Sequence, residues 1–333
     1  MNSPPLYPLR FEPIYQYRLW GGRRLANLLA APLPPGGEPI GEAWLLSDRE
    51  DHPSRIAEGS LKGCTIGQLL EQSPEQLLGK LAGRFKRFPL LLKFLDARDV
   101  LSVQVHPSDS QTNYLPAGES GKTEAWVVLE AGPEARVYAG LKPGATADEL
   151  RARIADKTVA DDLPSFRPKV GDGILIQART VHSLGDLVVF EVQENSDVTF
   201  RLYDWDHVDA RTGQPRALQV EQAMACIDFS QGVISPVTPL EEEEAKPTLR
   251  ERMFLCEHFG LWRLQGDSPF RTGATGTPRV LVCVGGAGRL EHEGASYPIG
   301  KGDVFLLPAV VGACLCRPQG AITLLEISLP EAK

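Results

Sequence analysis

Apolar and polar positions alternate along much of this chain, and the alternation predicts a mainly β protein. The clearest stretch is Leu101-Ser102-Val103-Gln104-Val105-His106-Pro107. As a strand it puts Ser102, Gln104 and His106 on one face and Val103 and Val105 on the other. Apolar runs over Phe88–Val105, broken by Asp96-Ala97-Arg98-Asp99, predict a buried strand, a turn and that opening strand. Further strands are expected within 118–129, 174–177, 187–193 and 198–203, the last presenting Thr199, Arg201 and Tyr203 on one face. Helical spacing is confined to Thr65–Leu81, interrupted near Pro74, to Ala147–Val159 and to Ala217–Cys226. Trp20-Gly21-Gly22 and Gly41-Glu42-Ala43-Trp44 read as turns beside short strands. Glu241–Glu244 reads as a solvated linker, and from Leu249 onward short strands and Gly turns predict a sandwich or barrel.

Several polar residues interrupt these patterns. Gln104 and His106 offer an amide oxygen and an imidazole nitrogen to a zinc-like divalent ion, although such a pair on its own is more often simply hydrogen-bonded. Lys93 stands among Leu90, Leu91, Leu92, Phe94 and Leu95, so it either snorkels at an edge or points into a polar cavity. Lys122, Glu124 and Trp126 share a strand face, where Glu124 needs either a metal or the neighbouring lysine as partner.

With 333 residues, the chain is long enough for two domains. A net charge of −8, from 35 basic and 43 acidic residues, disfavours nucleic acid as a partner. The longest apolar run is broken by Lys93, so no membrane span is expected, and the N-terminus lacks the pattern of a secretory signal. Six cysteines without a Cys-x-x-Cys pair suit a reducing, cytoplasmic setting, with Cys314 and Cys316 as buried thiols on one strand face.

A spacing recurs. Gly171-x5-Gln177-x-Arg179-x2-His182 resembles the second cupin motif, Gly-x5-Pro-x-Gly-x2-His, with Gln and Arg at the Pro and Gly places. Gly302-x5-Pro308-x-Val310-x2-Ala313 keeps the frame and loses the histidine. Two cupin-like jelly-roll β domains with a few short helices follow as the expected fold. Residues 1–240 form the domain with ligands and 241–333 a degenerate copy without them.

Gln104-Val105-His106-Pro107, Gly121-Lys122-Thr123-Glu124, Thr180-Val181-His182 and the run from Glu191 through Asn195-Ser196-Asp197 to Arg201-x-Tyr203-Asp204 together resemble type I mannose-6-phosphate isomerases, in particular the shorter bacterial form. Leu19-Trp20-Gly21-Gly22 and Gly41-Glu42-Ala43-Trp44 add to the likeness. The resemblance implies one Zn2+ per chain on Gln104, His106, Glu124 and His182. It implies aldose–ketose isomerisation of mannose 6-phosphate and fructose 6-phosphate through a cis-enediol. Arg201 would stabilise the enediolate, Glu191 or Lys122 would move the proton, and Ser102 and Lys93 would meet the substrate phosphate. The expected partner is a small sugar phosphate, with the chain a monomer or weak homo-oligomer. Gln177 and Arg179 depart from the family's Pro-Ala-Gly-Thr. A bulky cation there could point outward, bind an anion or block the pocket, which leaves a non-catalytic sugar-phosphate-binding bicupin as the alternative.

Overall fold

A computed structural model describes residues 5–242 and 247–330. The expected signal-free N-terminus, residues 1–4, and Glu243–Glu244 of the expected linker lie outside them. Glu241 does not fit a linker: Leu240–Glu241 is the edge strand of a sheet, paired with Glu251 and Arg252.

The chain is mainly β, as its alternation requires. A nine-stranded sheet carries the first two-thirds of the molecule. Along it run, in order, Gly173–Ile176, Glu124–Ala139, His182–Glu194, Leu90–Ala97, Ile14–Gly22 and Ile40–Leu46, with Val103–Val105 and Phe200–Tyr203 paired at the side. A seven-stranded and a four-stranded sheet form a sandwich from the C-terminal third. Leu9–Arg10 crosses over to join the seven-stranded sheet, pairing with Leu306 and Phe305.

Strand alternation divides the residues of the large sheet between two environments. Leu90, Leu92, Phe94, Ala125, Val127, Val188, Phe190 and Val192 face the C-terminal sandwich. There they share one core with Leu261, Val280, Val282, Leu306, Leu325 and Ile327 and with the helical residues Ile66, Leu69, Leu77 and Leu78. Leu95, Trp126, Val128 and Val189 face the opposite, concave side. Lys93, Glu124 and Glu191 are on that concave side, each one residue out of phase with the shared core.

Helices form at Ile66–Gln72 and Pro74–Leu78, the first opened by a Thr65/Gln68 capping box, and at Ala147–Ala155 and Val220–Cys226. The expected turns are instead strand: Trp20-Gly21-Gly22 is the end of Ile14–Gly22, and Gly41–Trp44 lies inside Ile40–Leu46. The glycines there serve close approach: a Cβ on Gly21 would overlap the Gly41 backbone. Asp96 and Ala97 likewise extend the Leu90–Ala97 strand, with Asp96 held by Arg24. Cys314 and Cys316 are free, buried thiols.

Candidate metal centre and adjoining cavity

Sheet register brings distant residues together. His182 opposes Gln104, Glu191 lies between Lys93 and Trp126, Gln193 opposes Glu124, and Arg201 opposes Gln104. Pairing of five strands therefore assembles, on one concave face, residues spread from Lys93 to Arg201.

At the centre His106, Glu124 and His182 bring one ligand atom each within 4.8 Å of one another, all three buried. His106 Nε2 is 3.4 Å from Glu124 Oε2, and His182 Nε2 is 3.3 Å from Glu124 Oε1. The outer nitrogens are committed: His106 Nδ1 lies 2.8 Å from the Val198 carbonyl and His182 Nδ1 2.8 Å from that of Thr180. A carbonyl only accepts, so each Nδ1 carries the proton and each Nε2 turns its lone pair inward. Burial holds both imidazoles neutral. His106, with Lys122 adding to the effect, is lowered to about 3, and His182 moves in the same direction. Glu124 is pushed up by burial but pulled well below its usual range by Lys122 and His106, so it is charged.

The chemistry of these donors fits a divalent cation. The Lys122 ammonium lies 2.7 Å from Glu124 Oε2, while Oε1 has no hydrogen-bond donor. Two imidazole lone pairs face that carboxylate, an arrangement a cation relieves. Gln104 adds a fourth polar group, its Nε2 3.2 Å from His182 Nε2 and its Oε1 accepting from Ser102 Oγ at 3.0 Å. Rotating the amide by half a turn would present the oxygen to an ion.

Gln104 and Lys122 separate this centre from a cavity of about 310 Å³, also lined by Lys93, Glu191, Asp197, Thr199 and Arg201. The Trp126 indole N–H donates to Glu191 Oε2 at 2.9 Å, while Oε1 has no hydrogen-bond donor. Burial raises the Glu191 pKa and Glu124 raises it further, against Lys93 and Lys122. Lys93 does point into the cavity, where its ammonium lies 3.4 Å from Glu191, 3.7 Å from Asp197 and 3.8 Å from Glu42. Arg201 is pulled down by burial and by Arg216, and has no ion-pair partner among the described residues; its Nε is buried and unbonded.

Three comparisons bear on this arrangement. Residues 9–124 match the family model described as phosphomannose isomerase type I, catalytic domain. The chain is 34% identical over 309 residues to mannose-6-phosphate isomerase ManA of Bacillus subtilis, covering 92% of this chain and 94% of that protein. The chain belongs to the type I phosphomannose isomerase family. Within it, the mannose-6-phosphate isomerase of Streptococcus mutans is 32% identical over 310 residues, covering 91% and 93% of the two chains. The crystal structure of the Bacillus subtilis mannose 6-phosphate isomerase superposes with a TM-score of 0.88 at 28% identity, covering 97% of this chain and 99% of that one. The expected cupin-type fold is therefore the phosphomannose isomerase fold.

The departure at Gln177 and Arg179 leaves this fold intact. Arg179 takes φ +75, the left-handed region that a glycine adopts freely. Its backbone N–H donates to the His106 carbonyl at 2.7 Å, tying the turn to a ligand strand. Its guanidinium points away from the cavity, Nε donating to Cys226 O at 3.2 Å with Asp228 3.6 Å from NH1. It blocks nothing.

Sequence reasoning missed Glu42, Arg18, Asp197 and Arg216 as cavity residues. Glu42 is buried, paired bidentately with Arg18 and bonded by the Trp44 indole. Burial opposes its charge, yet Arg18 and Lys93 bring its pKa to about 2. One signal was available: a lone carboxylate inside the uniformly apolar Ile40–Leu46 run.

Proposed function

We propose that this chain is a metal-dependent aldose–ketose isomerase that interconverts mannose 6-phosphate and fructose 6-phosphate, with Zn2+ held by His106, Glu124, His182 and Gln104. The observation that carries the reading is the convergence of two inward-facing Nε2 atoms on a buried, charged Glu124 beside a cavity holding Glu191 and an Arg201 with no ion-pair partner among the described residues. Family membership adds that the relatives are named mannose-6-phosphate isomerases. Turning the Gln104 amide toward an ion would leave Ser102 Oγ facing its NH2, freeing the Ser102 proton for a substrate oxygen.

The bound ion would supply Lewis-acid polarisation of the sugar's C1 and C2 oxygens. Glu191 is our choice for moving the proton between C2 and C1, because its pKa is raised and its Oε1 meets only the Lys93 ammonium, at 3.4 Å. Lys93 and Trp126 hold it in place. Arg201 and Lys122 offer positive charge where the enediolate develops. The Lys122 ammonium is pulled down by burial but held above its ordinary value by Glu124 and Glu191, so it acts as a cation and donor, leaving the base role to Glu191. Ser102 and Lys93 keep the phosphate role, with Lys93 already faced by three carboxylates that temper its charge. The non-catalytic alternative rested on the Gln177 and Arg179 departure and on a second domain without ligands; of these, the Arg179 side chain points away from the cavity. Zinc-loaded protein should form fructose 6-phosphate from mannose 6-phosphate, lose turnover on chelation and regain it with zinc. Protein shown to hold zinc yet turning over neither sugar would refute the reading.

A further inference from the structure

One residue of the C-terminal sandwich, His258, reaches the back of the metal centre, where it meets Glu194 and Asp109. Residues 256–259 connect strands Leu249–Leu255 and Gly260–Gly266, and they project His258 into a cavity of about 1100 Å³ between the two halves of the molecule. Thr123, Gln177, Ala178 and Glu194 line the opposite wall. Thr123 immediately precedes the strand Glu124–Ala139 and lines this cavity, while its neighbours Lys122 and Glu124 face the metal centre.

Thr123 is tied down at three atoms. Its N–H donates to Glu194 Oε1 at 2.7 Å, its carbonyl accepts from Glu194 N at 3.2 Å, and its Oγ1 accepts from Ala178 N at 3.2 Å. The other Glu194 oxygen, Oε2, lies 3.1 Å from His258 Nδ1. An unbroken chain, His258 to Glu194 to Thr123, thus runs from the C-terminal sandwich to the peptide that carries Glu124. Glu194 borders a roomy cavity. Without His258 its carboxylate would be free to turn toward water, leaving the Thr123 N–H without a fixed acceptor.

We infer that His258 is a positioning residue for the metal centre, acting through Glu194 to fix the backbone between Lys122 and Glu124. This rests on the metal-dependent reading above. Groups that orient metal ligands change affinity about 10–100-fold when removed.

The test compares full-length wild type, His258→Ala, His258→Asn and His258→Gln. Asn places an amide nitrogen near the Nδ1 position, whereas Gln places one near Nε2. In metal-free protein, amide hydrogen exchange at Thr123 should speed up about tenfold or more in H258A and H258Q and stay near wild type in H258N. Competition with a chelator should show zinc held about 10–100-fold less tightly in H258A and H258Q, with H258N restored. At saturating zinc, kcat should fall while KM for mannose 6-phosphate holds. Should H258A fail to fold, the Asn–Gln pair makes the same comparison. Unchanged exchange and zinc affinity in H258Q would overturn the inference. If wild type and a His106→Ala variant hold zinc equally, the metal reading fails instead, and the exchange data still decide whether His258 fixes Thr123.

Discussion

Arg201 differs from its neighbours Arg18, Lys93 and Arg216 in having no carboxylate partner among the described residues, although most of its side chain is buried. Burying a cation without a counter-charge is costly, and the cost is recovered when an anion enters. Replacing Arg201 with Ala should therefore lower kcat/KM by about 10²–10³, the range for loss of one charge-stabilising donor. Zinc content should be unchanged, since Arg201 touches none of the three clustered ligands. Metal analysis beside steady-state kinetics checks both halves, and normal turnover would remove Arg201 from the chemistry. Glu191→Gln tests the proton transfer. Gln can still accept from the Trp126 indole, so the fold should hold while turnover falls by about 10²–10⁴. Exchange of solvent deuterium into the sugar at C1 or C2 should fall with it; undiminished exchange would move the base elsewhere.

At the scale of the element, strands decide which polar residues meet, and their alternation was the legible part. The Ser102/Gln104/His106 face and the Lys122/Glu124/Trp126 face could be read because period two is local. Sheet order was not legible, since nothing near Glu191 encodes that it will stand between Lys93 and Trp126. Glycines misled for the same reason: Gly21 and Gly41 read as turns until the strand lying against them is known. Gly21→Ala should destabilise the protein by about 1–3 kcal/mol, because rigid backbone stands where the methyl must go. A urea melt measures it, and an unchanged midpoint would mean the strands separate easily. Arg179→Gly carries opposing terms. It relieves about 1–2 kcal/mol of left-handed strain but forfeits roughly 1 kcal/mol of hydrogen bonding to Cys226 and adds freedom to the unfolded chain. Net stability should stay within about 1 kcal/mol of wild type, with activity retained. Loss of activity would place the Arg179 side chain in the mechanism after all.

Across the whole molecule, the two halves are joined by a shared core, by the Leu9–Arg10 crossover and by the His258–Glu194 contact. The first two are apolar burial and backbone pairing, which are insensitive to pH, but the third titrates. His258 is half-buried. Burial pushes its pKa down, but Glu194, Glu257 and Asp109 face it and together raise it above the ordinary histidine value. A histidine with a raised pKa binds its proton more tightly when folded than when unfolded. Its contribution to stability is then fully present below about pH 6.5, the unfolded value, and is lost as pH rises through the folded value. His258→Asn keeps the donor toward Glu194 and cannot titrate, so it should remove this part of the pH dependence while leaving the contact. Melting temperatures of metal-free protein from about pH 6 to 8.5 should fall with rising pH more steeply for wild type than for H258N. Using metal-free protein keeps pH-dependent zinc binding out of the comparison. Parallel curves would show that the contact between the halves does not depend on the charge of His258, leaving a neutral imidazole N–H as the donor to Glu194.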